Sequence, residues 1–222
     1  MGSGARPTLR IPLILLALAN LVVLGMKVWP WQDLSSLGGN GTAALDPALC
    51  LLGYIAVIFW LVSSSDDPTG KALSAGTMLG LLGGVCLAAE IFFRAHSAIE
   101  QGVPPAIWTR GFFAVAALAW GMAGVSGARA SGGGMGMMTG AWSAMVSCLL
   151  ASTAFLGQLY FAGPLPPSTD PWKQYQGLAI GDPATQAMVQ SLNSVTFYML
   201  IGPMVGAGIG LLFALLAPEK KK

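Results

Sequence analysis

The chain has 222 residues, 55% of them apolar and only 9% charged, with 30 glycines and a formal net charge of +2; its mean hydropathy is +0.68. Soluble proteins carry roughly 25% charged residues, so nine acids and eleven bases are too few to cover a water-facing surface of this size. The small net charge also gives no electrostatic basis for binding nucleic acid. The composition belongs in a lipid bilayer.

A crossing helix needs about 20 mostly apolar residues. Six stretches qualify: Ile11–Val28, Leu45–Val62, Lys71–Phe93, Ala106–Ser126, Gly136–Ala162 and Leu192–Leu216. No alternating pattern suggests a β-barrel, and the helix is the other way to satisfy backbone polar groups in hydrocarbon. The expected fold is all-α: a single polytopic bundle over residues 1–222 with six transmembrane helices. Arg6 and Arg10 ahead of an apolar run also describe a secretion signal. The run here is longer than a signal core and ends in the bulky Trp29-Pro30-Trp31, so it reads as a retained anchor.

Helix punctuation supports the boundaries. Asp46-Pro47, Asp67-Pro68 and Asp182-Pro183 each offer a capping acid and a first-turn proline. Numbering the connections alternately, one side holds Arg6, Arg10, Lys71, Arg129 and Lys220 to Lys222, and the other Lys27, Arg94, Arg110 and Lys173. This bias predicts cytoplasmic N- and C-termini in a bacterial inner membrane, with Trp29, Trp31, Trp108 and Trp172 in an outer aromatic belt. The longer outer loops are about 29–44 and 163–191. In the second, Trp172, Tyr175 and Leu178 recur at helical spacing, which suits an interfacial helix or an irregular loop with anchoring aromatics. The sequon Asn40-Gly41-Thr42 in the first reads equally as a Gly-rich turn. The pattern running back to Pro183 makes the last helix too long for the bilayer, so it should protrude, tilt, or kink at Pro203.

Cys50, Cys86 and Cys148 all fall within apolar stretches and suggest no disulfide framework. Small-residue ladders are more informative, because membrane helices associate through close packing of small side chains. Gly76, Gly80 and Gly84 form one ladder on the third helix, Gly136, Gly140 and Ala144 one on the fifth, and Gly202, Gly206 and Gly210 one on the sixth. Leu87 is the first bulky residue on the face of Gly76 and Gly80, and should end the closest approach. The partners of these ladders lie within the chain or on another protomer. A shared Cys-Leu-Leu at residues 50–52 and 148–150 hints at two inverted three-helix units.

Ionisable groups at membrane depth are costly and mark functional sites. Glu90 qualifies, about one turn from the outer end of the third crossing and four residues before Arg94, the favourable order for a helical ion pair. Arg110 opens the fourth helix at the same level, His96 falls in the connecting loop, and Gln158 and Asn193 lie in the outer half. Together they outline an outward polar pocket with excess positive charge. The same residues also read as a helix clamp, Arg110 reaching for the interface. Asn20, alone inside the first crossing, should bond across helices.

No cofactor or metal is indicated. One histidine cannot supply bis-His haem ligation, and Met135, Met137 and Met138 are better core filler than a Cu(I) site. The glycine run 132–134 lacks a nucleotide-loop pattern, and GxSxG, HExxH and CxxC are absent. A lipid-acting enzyme would have only Glu90 or His96 as base, so no enzymatic activity is expected. Two readings remain. The first is a non-catalytic subunit packing through small-residue faces into a larger membrane assembly, with other subunits or copies of itself as partners. The alternative is a small-solute transporter or channel with an outward vestibule around Glu90, Arg94 and Arg110.

Overall fold

The computed structural model describes residues 10–28, 45–63, 67–100, 106–161 and 183–217. These form six helices: α1 (Arg10–Val28), α2 (Leu45–Ser63), α3 (Asp67–Glu100), α4 (Ala106–Ser131), α5 (Gly133–Phe161) and α6 (Pro183–Leu216). The chain is therefore all-helical, and α3, α4, α5 and α6 are long and apolar enough to cross a membrane. The shorter α1 and α2 are apolar as well. Residues 29–44 and 163–182 of the expected outer loops, including the segment around Trp172 and the sequon at Asn40, lie outside the described residues, while 183–191, the rest of the second expected loop, belong to α6.

The proline signals work with small shifts. Asp46 sits inside the first turn of α2, where a carboxylate complements the helix dipole. α3 starts at Asp67 and α6 at Pro183. Three helices run further than hydropathy alone implied. α3 continues to Glu100, so His96 is helical and not in a loop, and Glu90 lies ten residues before the helix end though still one turn from Phe93, where the apolar span ends. α4 and α5 extend towards each other until Gly132 alone separates them. That residue has φ 90°, and its N–H donates to Ala128 O at 2.8 Å. A left-handed glycine ends α4 in this way and lets α5 start at once.

α5 is the axis of the bundle, touching α1, α3, α4 and α6. It is the most enclosed of the four long helices, with 67% of its apolar span buried against 22% for α6. Its small residues form two stripes about 100° apart. Thr139, Ser143 and Ser147 face α3: a Cβ on Gly80 would stand 2.5 Å from Ser143 O, and one on Gly76 would stand 2.9 Å from the Thr139 methyl. Gly136, Gly140, Ala144 and Cys148 face α6. There a Cβ on Gly210 would meet Gly136 O and Gly140 Cα at 2.8 Å, one on Gly206 would collide with Ala144, and one on Gly202 with Cys148 Sγ. α4 joins the same knot, Gly124 lying on the Gly210 backbone and Gly127 on Met135. The partners of both glycine ladders are thus helices of the same chain. Leu87, just beyond the α3 ladder, is buried and re-establishes side-chain packing.

The ladders of α3 and α6 both converge on α5. An inverted repeat would instead send the α6 ladder to α5 and its counterpart on α3 to α2. The two halves are not used equivalently.

α1 and α2 pack on each other, α1 on α5 and α2 on α6. Asn20, 1% exposed, donates from Nδ2 to Thr153 Oγ1 at 3.0 Å, with Leu149 O at 3.4 Å, making the cross-helix bond expected of it. Arg110 and Arg129 are exposed on α4 and nineteen residues apart, which is about 28 Å along a helix and close to the thickness of the hydrocarbon core. Trp120 lies midway between them.

These contacts set expectations for stability. Gly206→Leu or Gly140→Leu drives a side chain into backbone, so each should cost more than the about 1–3 kcal/mol of ordinary overpacking. Gly208→Leu enters open space and should leave the thermal midpoint in detergent unchanged or raised. Equal tolerance of all three would show that the ladders do not carry the fold.

Candidate functional site

Polar side chains concentrate where α3, α4 and α5 meet, at the level of Trp120. The Trp120 indole donates from Nε1 to Ser147 Oγ at 2.9 Å. Ser147 Oγ in turn lies 2.8 Å from Gly80 O and 3.0 Å from Ser143 O, so its single proton is shared between two carbonyls. One turn away, Trp142 Nε1 donates to Thr77 Oγ1 at 2.8 Å, and Thr77 donates to Leu73 O at 2.9 Å. Thr139, Ser152 and Thr153 bond the carbonyl four residues back. With its proton on carbonyls and its lone pair on an indole, the Ser147 hydroxyl joins three helices and is not set up to attack a substrate.

The residues that the sequence nominates are distributed differently. Glu90 is buried in α3 at 1% exposure and is engaged by another group. Gly83 packs at the Trp120–Ser147 level, and Glu90 follows seven residues later, about 10 Å along the helix. Phe93, one turn beyond, tilts against Trp108 and Phe112, ring centroids 6.4 Å apart in each case, and closes the α3–α4 seam at the Arg110 side. Arg110 and Asn193 are exposed and Gln158 is half-buried. The side chains of Arg94 and His96 lie outside the described residues. Glu90 therefore points into the bundle while Arg110 and Asn193 point out of it, and no described contact assembles these three into one pocket. Near Asn193, Tyr198 stacks on Phe113 at 6.1 Å and tilts against Phe155 at 5.6 Å, tying α6 to α4 and α5.

The knot around Ser147 was legible in one respect that hydropathy passes over. Thr139, Ser143 and Ser147 repeat at i, i+4 on a helix whose next face repeats Gly136, Gly140 and Ala144. A hydroxyl stripe beside a glycine stripe marks two packed faces on one helix. What the stripe cannot reveal is the donor, because Trp120 reaches it from another element.

Ser147→Ala leaves the buried Trp120 N–H without its acceptor, and should lower stability by about 1–2 kcal/mol in a detergent unfolding titration. Trp120→Phe in the same background should then add much less than it does alone. Additive losses would mean the two groups do not share a bond.

No family model, curated protein or solved structure matches this chain.

Proposed function

We propose that the chain is a non-catalytic integral subunit of a larger membrane assembly, crossing the cytoplasmic (inner) membrane six times with both termini inside. One observation carries this reading: three cross-helix bonds, Trp120–Ser147, Trp142–Thr77 and Asn20–Thr153, tie indole, hydroxyl and amide groups at membrane depth to one another. Polar residues used this way hold a scaffold together. The six crossings are supported by the length of α1 and α2, 19 residues each, or about 28 Å against a hydrocarbon core of about 30 Å. The orientation is supported by the excess of Lys and Arg on the Arg129 side.

Since α3, α5 and α6 fill each other's glycine ladders, partner subunits or a second copy would meet the faces left open. These carry Leu15, Leu18 and Val22 on α1 and Met204, Val205 and Leu212 on α6. The test is the mass of the tagged chain extracted with its native lipid into polymer-bounded nanodiscs. A discrete assembly heavier than one chain is expected, and a lone monomer overturns the reading. For the topology, a cysteine at Ser131 should resist an impermeant maleimide in intact cells while one at Asp46 reacts; the opposite pattern would invert the orientation.

The second reading, a small-solute transporter or channel, is favoured by the burial of Glu90 at membrane depth. It requires that proteoliposomes show a solute flux and that Glu90→Gln abolish it while the folded fraction is retained. Wild-type protein without flux removes this reading.

A further inference from the structure

Pro203 lies inside α6, which runs unbroken from Pro183 to Leu216. A proline in a helix interior has no N–H for the carbonyl four residues earlier, and its ring crowds that carbonyl. Here the carbonyl is that of Met199, buried at 1% exposure. In hydrocarbon such a group needs a substitute donor. The Tyr54 hydroxyl of α2 supplies one, donating to Met199 O at 2.8 Å from a side chain that is itself 7% exposed.

The two sides of this break are held by different kinds of contact. From Gly206 to Gly210, α6 lies backbone to backbone on α5 and α4, against Gly140, Gly136 and Gly124, while Gly202, next to the break, rests on the Cys148 side chain. Such contacts fix the interhelical distance, because no side chain can rearrange to absorb a shift. From Leu192 to Met199 the contact runs through side chains, with Tyr198 held between Phe113 and Phe155. Side-chain contacts tolerate small rotations that glycine contacts do not. The weakened turn thus separates a rigid segment from an adaptable one, and the Tyr54 hydroxyl reaches it from the α1–α2 pair.

We propose that α6 hinges at residues 199–203 and that the Tyr54 hydroxyl is the latch, coupling the position of the α1–α2 hairpin to that of the α6 segment before Pro203. With the hydroxyl in place the break is bridged and α6 stays in the described course. When the hairpin shifts, the Met199 carbonyl loses its donor and the segment before the break is released. The hinge belongs to the fold and holds whether the chain is a subunit or a transporter.

The experiment measures distances between spin labels in lipid nanodiscs, with Cys50, Cys86 and Cys148 replaced by alanine. One pair, at Asn193 and Met137, spans the break; a control pair, at Leu215 and Leu118, lies on the side fixed by the glycine contacts. Tyr54→Phe should broaden and shift the first distribution and leave the second unchanged. Pro203→Ala restores an N–H to bond Met199 O, so Tyr54→Phe with Pro203→Ala should return the narrow distribution. An unchanged first distribution in Tyr54→Phe overturns the proposal. So does a double variant as broad as Tyr54→Phe, which would make the hydroxyl a docking contact unrelated to the proline. If Tyr54→Phe alone fails to fold, a folded and narrow double variant supports the latch, and an unfolded one overturns it.

Discussion

Backbone contact between α5 and its two neighbours is the constraint on which the rest of the structure depends. In a bilayer, lipid tails solvate leucine as well as another helix does, so helices gain little by hiding apolar surface from each other. They gain by approaching closely enough for many weak contacts and short polar bonds to add up. Gly80 brings the α3 backbone onto Ser143, and Gly140 and Gly210 bring α5 and α6 together without intervening side chains. Because the two stripes on α5 are adjacent, α3 and α6 are held on neighbouring faces. Their positions leave room for α4 to reach both α5 and α6.

The close approach also explains where the polar groups sit. Ser147 can reach the Gly80 carbonyl because Gly83 and Gly80 present no side chain between the two helices. The Trp120 indole completes the junction from α4. A buried hydroxyl or indole without a partner is costly in a medium that offers no water. Placing these groups where three helices already touch removes that cost and fixes the axial register. The same logic appears at Pro203, where a defect in one helix is matched by a hydroxyl from another.

Glu90 stands apart from this pattern. It lies beyond the α3 ladder, after Leu87 has restored side-chain packing, and it is as fully enclosed as the apolar residues around it. An acid in this position is specific to α3 and is not needed for the glycine contacts, which end before it. It is therefore the residue at which a scaffold and a solute pathway would differ most in behaviour.

The number of apolar helices, their approximate limits and the small-residue ladders were legible in the sequence, because each is a property of one segment: hydropathy, length and spacing along a single helix. Asn20 could be assigned a cross-helix bond for the same reason, since an amide in hydrocarbon must find a partner. Helix ends were less legible: α3 passes Phe93 and α4 passes Ser126 because polar residues such as Arg94, His96 and Arg129 continue a helix beyond the apolar run. Only the tertiary structure decided that both ladders close on α5, that Trp120 and Trp142 choose Ser147 and Thr77, and that Arg110 and Asn193 turn outward, away from the buried Glu90. Those outcomes depend on which faces of different helices meet, and the rotation of one helix against another is set by packing that no single segment encodes.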